Sequence, residues 1–377
     1  MTGPLSGLLV ADFSRVLAGP FAAMTLGDLG ADVVKVERPE TGDDTRGWGP
    51  PWREEDSTYY LALNRNKRSV ALDLADAGDR DLARTLALRA DVLIESFRPG
   101  LMASWGLDGD TLRAAGNPGL VSCSVTAFGS GEAARGLPGY DFLLQAMGGL
   151  MAVTGEADGP PLKVGAALVD LICGMLATIG IQGALRGRET TGLGSHVEVS
   201  LLDAALQSLL NQATAWTLGG VEPHRRGNRH PSIAPYQTFA TADRPIAIAC
   251  GNDRLFARLA AALGAPELAE DARFSTNAAR VENVDALDTE LSARFATRPA
   301  DDWALLLREA SVPAGPINTV SEAFRLAHEL GMAPTEPDGL PRPMLRLDGE
   351  RPEVRLPPPS LDEHGDELRA WLADGAG

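Results

Sequence analysis

The feature that most constrains this chain is the alternation, through its first third, of short apolar runs with helical stretches. Leu8–Phe13, Asp32–Glu37, Ser69–Leu74, Asp91–Phe97 and Leu120–Phe128 read as strands. Between them, Phe21–Leu29 (closed by Gly30) and Asp79–Ala90 (Leu82 and Leu86 on one face) read as helices. Strands separated by helices pair in parallel through crossovers, so the expected fold class is α/β, with a large Rossmann-like parallel-sheet domain.

The rest of the 377 residues is too long for that one domain. Ser200–Leu218 carries a long helical pattern, and GGVEPHRRGNRHPSIAPY after it reads as a loop rich in Gly, Pro and Arg. A second, smaller α+β unit follows. Pro245–Cys250 reads as a strand, and Asn252 caps a helix through Leu255, Phe256, Leu259 and Leu263 that Gly264 ends. Another helix centres on Trp303, Leu306 and Leu307, and the tail from Gly331 is irregular up to Glu363–Leu372. The expected division is a large domain over 1–200, a linker helix and loop over 201–230, a small domain over 231–325 and a C-terminal segment over 326–377.

Charge narrows the function. The net charge is −17, with no basic run, which argues against nucleic acid and against an anionic membrane as partners. Only Lys35, Lys67 and Lys163 are lysines, so a phosphate site needs a local cluster dominated by arginine. Arg65, Lys67 and Arg68 form the densest basic group, either a phosphate contact or a solvated loop. Cys123, Cys173 and Cys250 are odd in number and widely spaced, as expected of reduced, buried thiols in a cytoplasmic protein; no metal site is expected. The N-terminus lacks the pattern of a signal peptide. The apolar stretch Ala166–Leu185 contains Asp170, Thr178 and Gln182 and is expected to be a core helix rather than a membrane span.

Two motifs merit comparison. Gly129-Ser130-Gly131-Glu132-Ala133-Ala134 fits a loose dinucleotide pattern, but Pro138 follows closely and no helix does, so it reads as a turn. Asp170 lies in GAALVDLICGMLATIGI among apolar and small neighbours, with no basic residue within a helical turn. An ionised carboxylate there needs tertiary partners, caps a helix start, or is kept for chemistry.

Longer segments resemble a known family. LSGLLVADFSRVLAGPFAAMTLGDLGADVVKVERPETGDDTRGW, NRNKRSVALDL, ADVLIESFRPG, SVTAFG, PGYDFLLQAMGGLMAVTG, GAALVDLICGM, GNRHPSIAPYQTF and PPPSLDEHGDEL resemble, in order, the class III CoA-transferases of the formyl-CoA and carnitine CoA-transferase type. The resemblance implies transfer of CoA from an acyl-CoA to a carboxylic acid, with Asp170 as nucleophile through aspartyl anhydride and aspartyl-CoA thioester intermediates. CoA and acyl-CoA are then substrates, and no tightly bound cofactor is implied. It places Val16, Leu17 and Ala18 beside the pantetheine and reacting carbonyl, and Arg38 against the adenine or phosphates. Leu72 and Leu74 flank the adenine, Ser96, Phe97 and Arg98 line the nucleotide site, and Tyr140 lies near the pantetheine end. Trp48, Tyr59 and His230 are candidates for the acyl pocket. The resemblance further implies an interlocked, ring-like homodimer, with the C-terminal segment returning to the large domain.

Some positions depart from the family pattern. Formyl-CoA-transferase members carry glutamine at the position of Leu17, arginine at Ser104 and lysine at Ala75, and their glycine-rich loop has no clear counterpart. Leu17 and Met147 favour an acid less polar than oxalate. The rival functions are a 2-methylacyl-CoA racemase, a CoA-binding protein without transferase activity, and a thioesterase. The racemases carry a histidine where Tyr140 stands, and tyrosine, with an ordinary pKa of about 10, is a poor base.

Overall fold

The computed structural model describes residues 3–134 and 136–374. The chain forms two compact units. The first comprises Met1–Leu150, Lys163–Gly220 and Ala333–Gly377, and the second Met151–Leu162 and Val221–Met332. The first boundary thus falls twenty residues beyond 200, so no free linker helix separates the units. Residues 151–162 belong to the second unit, which no composition shift marks.

The first unit is built on six parallel strands: β1 (Leu9–Phe13), β2 (Asp32–Glu37), β3 (Lys67–Ala71), β4 (Val92–Glu95), β5 (Val121–Thr126) and β6 (His196–Ser200). Their order is β3-β2-β1-β4-β5-β6, with every neighbouring pair parallel. The order reverses beside β1, which opens a crevice at the carboxyl ends of β1 and β4. Strand β6 was not anticipated; it is five residues long and runs straight into a helix at Ser200.

Helix α1 (Ala18–Asp28) is wrapped by core, and its small residues bury nearly every position. Gly30, at φ +109°, then turns the chain into β2. On the other face of the sheet α2 (Ala77–Arg89) buries Ala83, Leu86 and Ala87. Helix α3 (Asp141–Met147) precedes the 24-residue α4 (Leu168–Thr191). Val169, Cys173, Ala177, Ile181 and Leu185 recur every fourth residue and form the buried seam of α4. Its length and apolarity would suffice to cross a membrane, yet this seam lies in the core of the unit, while Met175 and Ile179 are exposed. The pattern from Ser200 to Leu218 resolves into α5 (Leu201–Ser208) and α6 (Asn211–Thr217), broken where Leu210 adopts φ +43°. The three cysteines are free and buried.

The second unit carries an antiparallel sheet of β7 (Tyr236–Phe239), β8 (Ile246–Ala249) and β9 (Ala314–Pro316), in the order β9-β8-β7. Its core includes Phe295, stacked on Phe239 at 4.9 Å and edge-on to Trp303 at 5.4 Å. Asn252 caps α7 (Asp253–Ala262) through the Leu255 amide.

Candidate active site

Asp170 stands in the first turn of α4 and is only 8% exposed. The helix start is capped, but by another residue. Asp141 accepts the Val169 amide at 2.8 Å and the Asp170 amide at 3.2 Å on one oxygen, and Gln145 Nε2 at 2.6 Å on the other. Capping thus leaves the Asp170 side chain unused. Its carboxylate accepts no hydrogen bond and pairs with no cation among the described residues. Burial, and after it the nearby Asp141 charge, push its pKa up to about 7. Asp141 was missed as a functional residue because its partner amides lie 28 and 29 residues downstream.

Asp170 faces a cavity of about 160 Å³ at the reversal point of the sheet. The turn after β1 forms one wall, with Arg15, Val16, Leu17, Ala18 and Gly19; Ser96 after β4 and Tyr140 add to it. Val16 holds φ +72°, a conformation that a β-branched residue rarely adopts and that costs about 1–3 kcal/mol. Its amide lies 3.3 Å from both Asp43 oxygens, and the Arg15 amide donates to Ser96 Oγ at 2.9 Å. Gly174, one turn beyond Asp170, lets α4 approach α1 closely. A Cβ there would lie 2.6 Å from the Ala18 carbonyl oxygen.

Arg38, Leu72, Leu74 and Phe97 gather around a second cavity of about 210 Å³, mostly apolar, with Trp105 beside Phe97. Arg98 is exposed and lines neither cavity. Trp48 and Tyr59 pack edge to face at 5.3 Å, outside both linings. Burial, then the charge of Asp170, raises the Tyr59 phenol to about 12. Met147 is exposed and also outside, so of the two apolar side chains expected at the acyl end only Leu17 is there. His230 belongs to the second unit. Its Nδ1 accepts the Ser232 amide at 3.1 Å, and it borders a cavity of about 380 Å³ with His224, Arg225, Arg226 and Arg229.

The basic cluster at 65–68 is neither a solvated loop nor a wall of these cavities. Arg65 pairs with Asp28 at 2.6 Å and Arg68 with Asp32 and Glu367. Lys67 is wholly buried and donates to Asp12, the Pro20 carbonyl and Asn64, each at 2.9 Å. Lys35 is equally buried, on Asp43 at 2.9 Å and the Ser14 carbonyl at 3.0 Å. A hydropathy pattern shows that a lysine sits in a strand; it does not show which carboxylate, tens of residues away, receives it.

Comparison with known proteins agrees across the whole chain. The profile of a family described as CoA-transferase family III matches residues 5–365. An acetyl-CoA:oxalate CoA-transferase of Acetobacter aceti is 42% identical over 376 residues, covering 98% of this chain and 96% of the relative. A succinyl-CoA:glutarate CoA-transferase of Mus musculus is 39% identical over 369 residues, covering 96% and 84%. The crystal structure of a CAIB/BAIF family protein from Brucella suis superposes with a TM-score of 0.88 at 44% identity, covering 99% of this chain and all of that one.

Proposed function

The chain belongs to CoA-transferase family III and is an enzyme of that class, moving CoA between carboxylic acids; from that premise we propose that Asp170 is the nucleophile and that the cavity it faces holds the thioester. The observation that carries this reading is a buried carboxylate with no partner among the described residues, at the crevice where a parallel sheet reverses its order.

Ionised Asp170 attacks the thioester carbonyl and the C–S bond breaks. CoA leaves as the thiolate, and a mixed anhydride joins the donor acyl group to Asp170. The thiolate attacks the Asp170 side of the anhydride and expels the donor acid as its carboxylate, giving the aspartyl-CoA thioester. The acceptor carboxylate attacks that thioester and releases the thiolate, which attacks the acceptor carbonyl of the second anhydride and restores Asp170. No net proton moves. The first-turn amides of α1 at Ala18 and Gly19 have no intrahelical acceptor and line the same cavity, where they can receive the tetrahedral oxyanions. A closed, dry cavity is part of the function, since water on either anhydride gives hydrolysis.

CoA lies with its adenine in the apolar cavity of Leu72, Leu74 and Phe97 and its thioester at Asp170, past Val16, Leu17 and Ala18. Relatives are named for oxalate, glutarate and mesaconate as acceptors, all dicarboxylates. We take the acceptor here as a dicarboxylate and the donor as succinyl-CoA or acetyl-CoA. Leu17 favours a diacid with a methylene chain over oxalate. The same reading makes the protein a cytoplasmic, interlocked homodimer; the exposed Met175, Ile179, Leu206, Leu210 and Trp216 of the first unit supply apolar surface for it.

Intact-mass analysis after mixing with succinyl-CoA, with hydroxylamine or borohydride trapping and peptide mapping, tests the mechanism. The expected result is modification on the peptide that carries Asp170. Full turnover with no trapped species, or an adduct on another residue, removes the proposal.

A further inference from the structure

Arg15 is common to the linings of both cavities, and in the lining of the Asp170 cavity it is the single cation among the described residues. It lies two residues beyond the end of β1, at the reversal of the sheet. Its guanidinium is underused. Nη1 reaches Asp44 at a long 3.3 Å, Nε is buried without a hydrogen-bond partner among the described residues, and the group lies over the Phe97 ring at 5.6 Å. Arg38, on the other side, pairs with the second oxygen of the same Asp44. One carboxylate therefore stands between two guanidiniums at the seam of the cavities. The third cation there, Lys35, is wholly buried and committed to Asp43 and the Ser14 carbonyl.

We propose that Arg15 is a binding residue for the diphosphate of CoA, exchanging Asp44 for phosphate oxygens as its acceptor when the thioester enters. The inference rests on the placement of adenine and thioester given above. A CoA molecule spanning the two cavities must run its diphosphate arm across the seam between them. A planar guanidinium matches two phosphate oxygens at once, and a tetra-anionic ligand approaching a chain of net charge −17 needs such a cation at the mouth of its site. The long bond to Asp44 and the unpartnered Nε mark a side chain with donors to spare.

Arg15→Met keeps the apolar stem over Phe97 and removes the charge. Calorimetric titration with free CoA is expected to show roughly 10- to 100-fold weaker binding in this variant. The KM for acetyl-CoA and for succinyl-CoA should rise by the same factor, and turnover of acetyl-pantetheine, which lacks the diphosphate, should not change. A loss confined to succinyl-CoA would assign Arg15 to the acyl carboxylate instead, and an equal loss with acetyl-pantetheine would make its role structural; either overturns the proposal, as does unchanged CoA affinity. Asp44→Asn frees Arg15 without removing it and is expected to tighten CoA binding, so the idea stays testable if Arg15→Met folds poorly; weaker binding in Asp44→Asn counts against it. A wild-type protein that does not bind CoA would remove the parent reading as well, whereas wild-type binding matched by Arg15→Met removes this one alone.

Discussion

Asp12 and Asp170 are both acidic groups buried in the first unit, and their surroundings act on them in opposite directions. Burial alone would raise Asp12, but Lys67 at 2.9 Å and then Lys35 overcome it and hold the carboxyl below its usual range. Asp170 has no cation among the described residues to offset burial, and Asp141 adds to the penalty, so it rises to about 7. The first is a fixed ion pair that ties β1 to β3. The second is a carboxylate kept short of interactions, and such a group has something to gain by bonding to a substrate. Burial is shared; the presence or absence of a partner separates the structural acid from the proposed chemical one.

The comparison breaks first at Asp170. Asp170→Asn should remove CoA exchange, by 10⁴-fold or more on the order seen for lost nucleophiles, with CoA binding retained; residual turnover within tenfold of wild type would end the nucleophile assignment. The same variant reads the electrostatics. A carboxyl raised from 3.8 to about 7 contributes stability below pH ~4 that is lost as pH rises through about 7, because the folded state then carries an unpaired charge. Asp170→Asn lacks that loss, so its melting temperature should exceed that of wild type at pH 8 and match it at pH 4.

Lys67→Met tests the other side. It leaves Asp12 buried without its closest cation and should destabilise the fold by about 3–5 kcal/mol in denaturant titration. A loss under about 1 kcal/mol would mean that Lys35 alone suffices and that the contrast is overstated.

The smallest effect belongs to Asp141→Asn. The amide oxygen still caps the Val169 and Asp170 amides, but the charge beside Asp170 is gone. The pH at which single-turnover acylation reaches half its maximum should fall toward the ordinary carboxylate range. A profile that stays at about 7 would leave burial as the whole cause.

Much of the first unit was legible because its strands obey simple patterns. Asp32–Glu37 and the helices after β1 and β3 were found within a few residues, since apolar periodicity and Gly30 mark them locally. Strand β6 escaped because five half-exposed residues wedged between two helices carry little pattern. The site was legible in part. Leu17, Ser96, Tyr140 and Asp170 share one cavity, and Arg38, Leu72, Leu74 and Phe97 the other. Arg98, Trp48 and Tyr59 lie outside both, and Lys67 takes neither of the two roles left open for its cluster. Arg15, Asp44 and Asp141 matter through pairings that sequence spacing does not encode.

The C-terminal segment covers the open edge of the sheet. Leu356 accepts the Asn66 amide at 2.9 Å, Ser69 accepts the His364 amide at 3.0 Å, Asp362 accepts the Ala71 amide at 2.7 Å, and Arg369 reaches the Ala71 carbonyl at 2.8 Å. All of these lie on or beside β3, the strand that ends the order. A growing chain therefore has the whole second unit outside the ribosome while the first still shows a bare strand edge. The first unit is the last to be finished, although translation begins on it before the second, and a nascent chain stalled before Arg369 would expose that edge to its neighbours on a polysome.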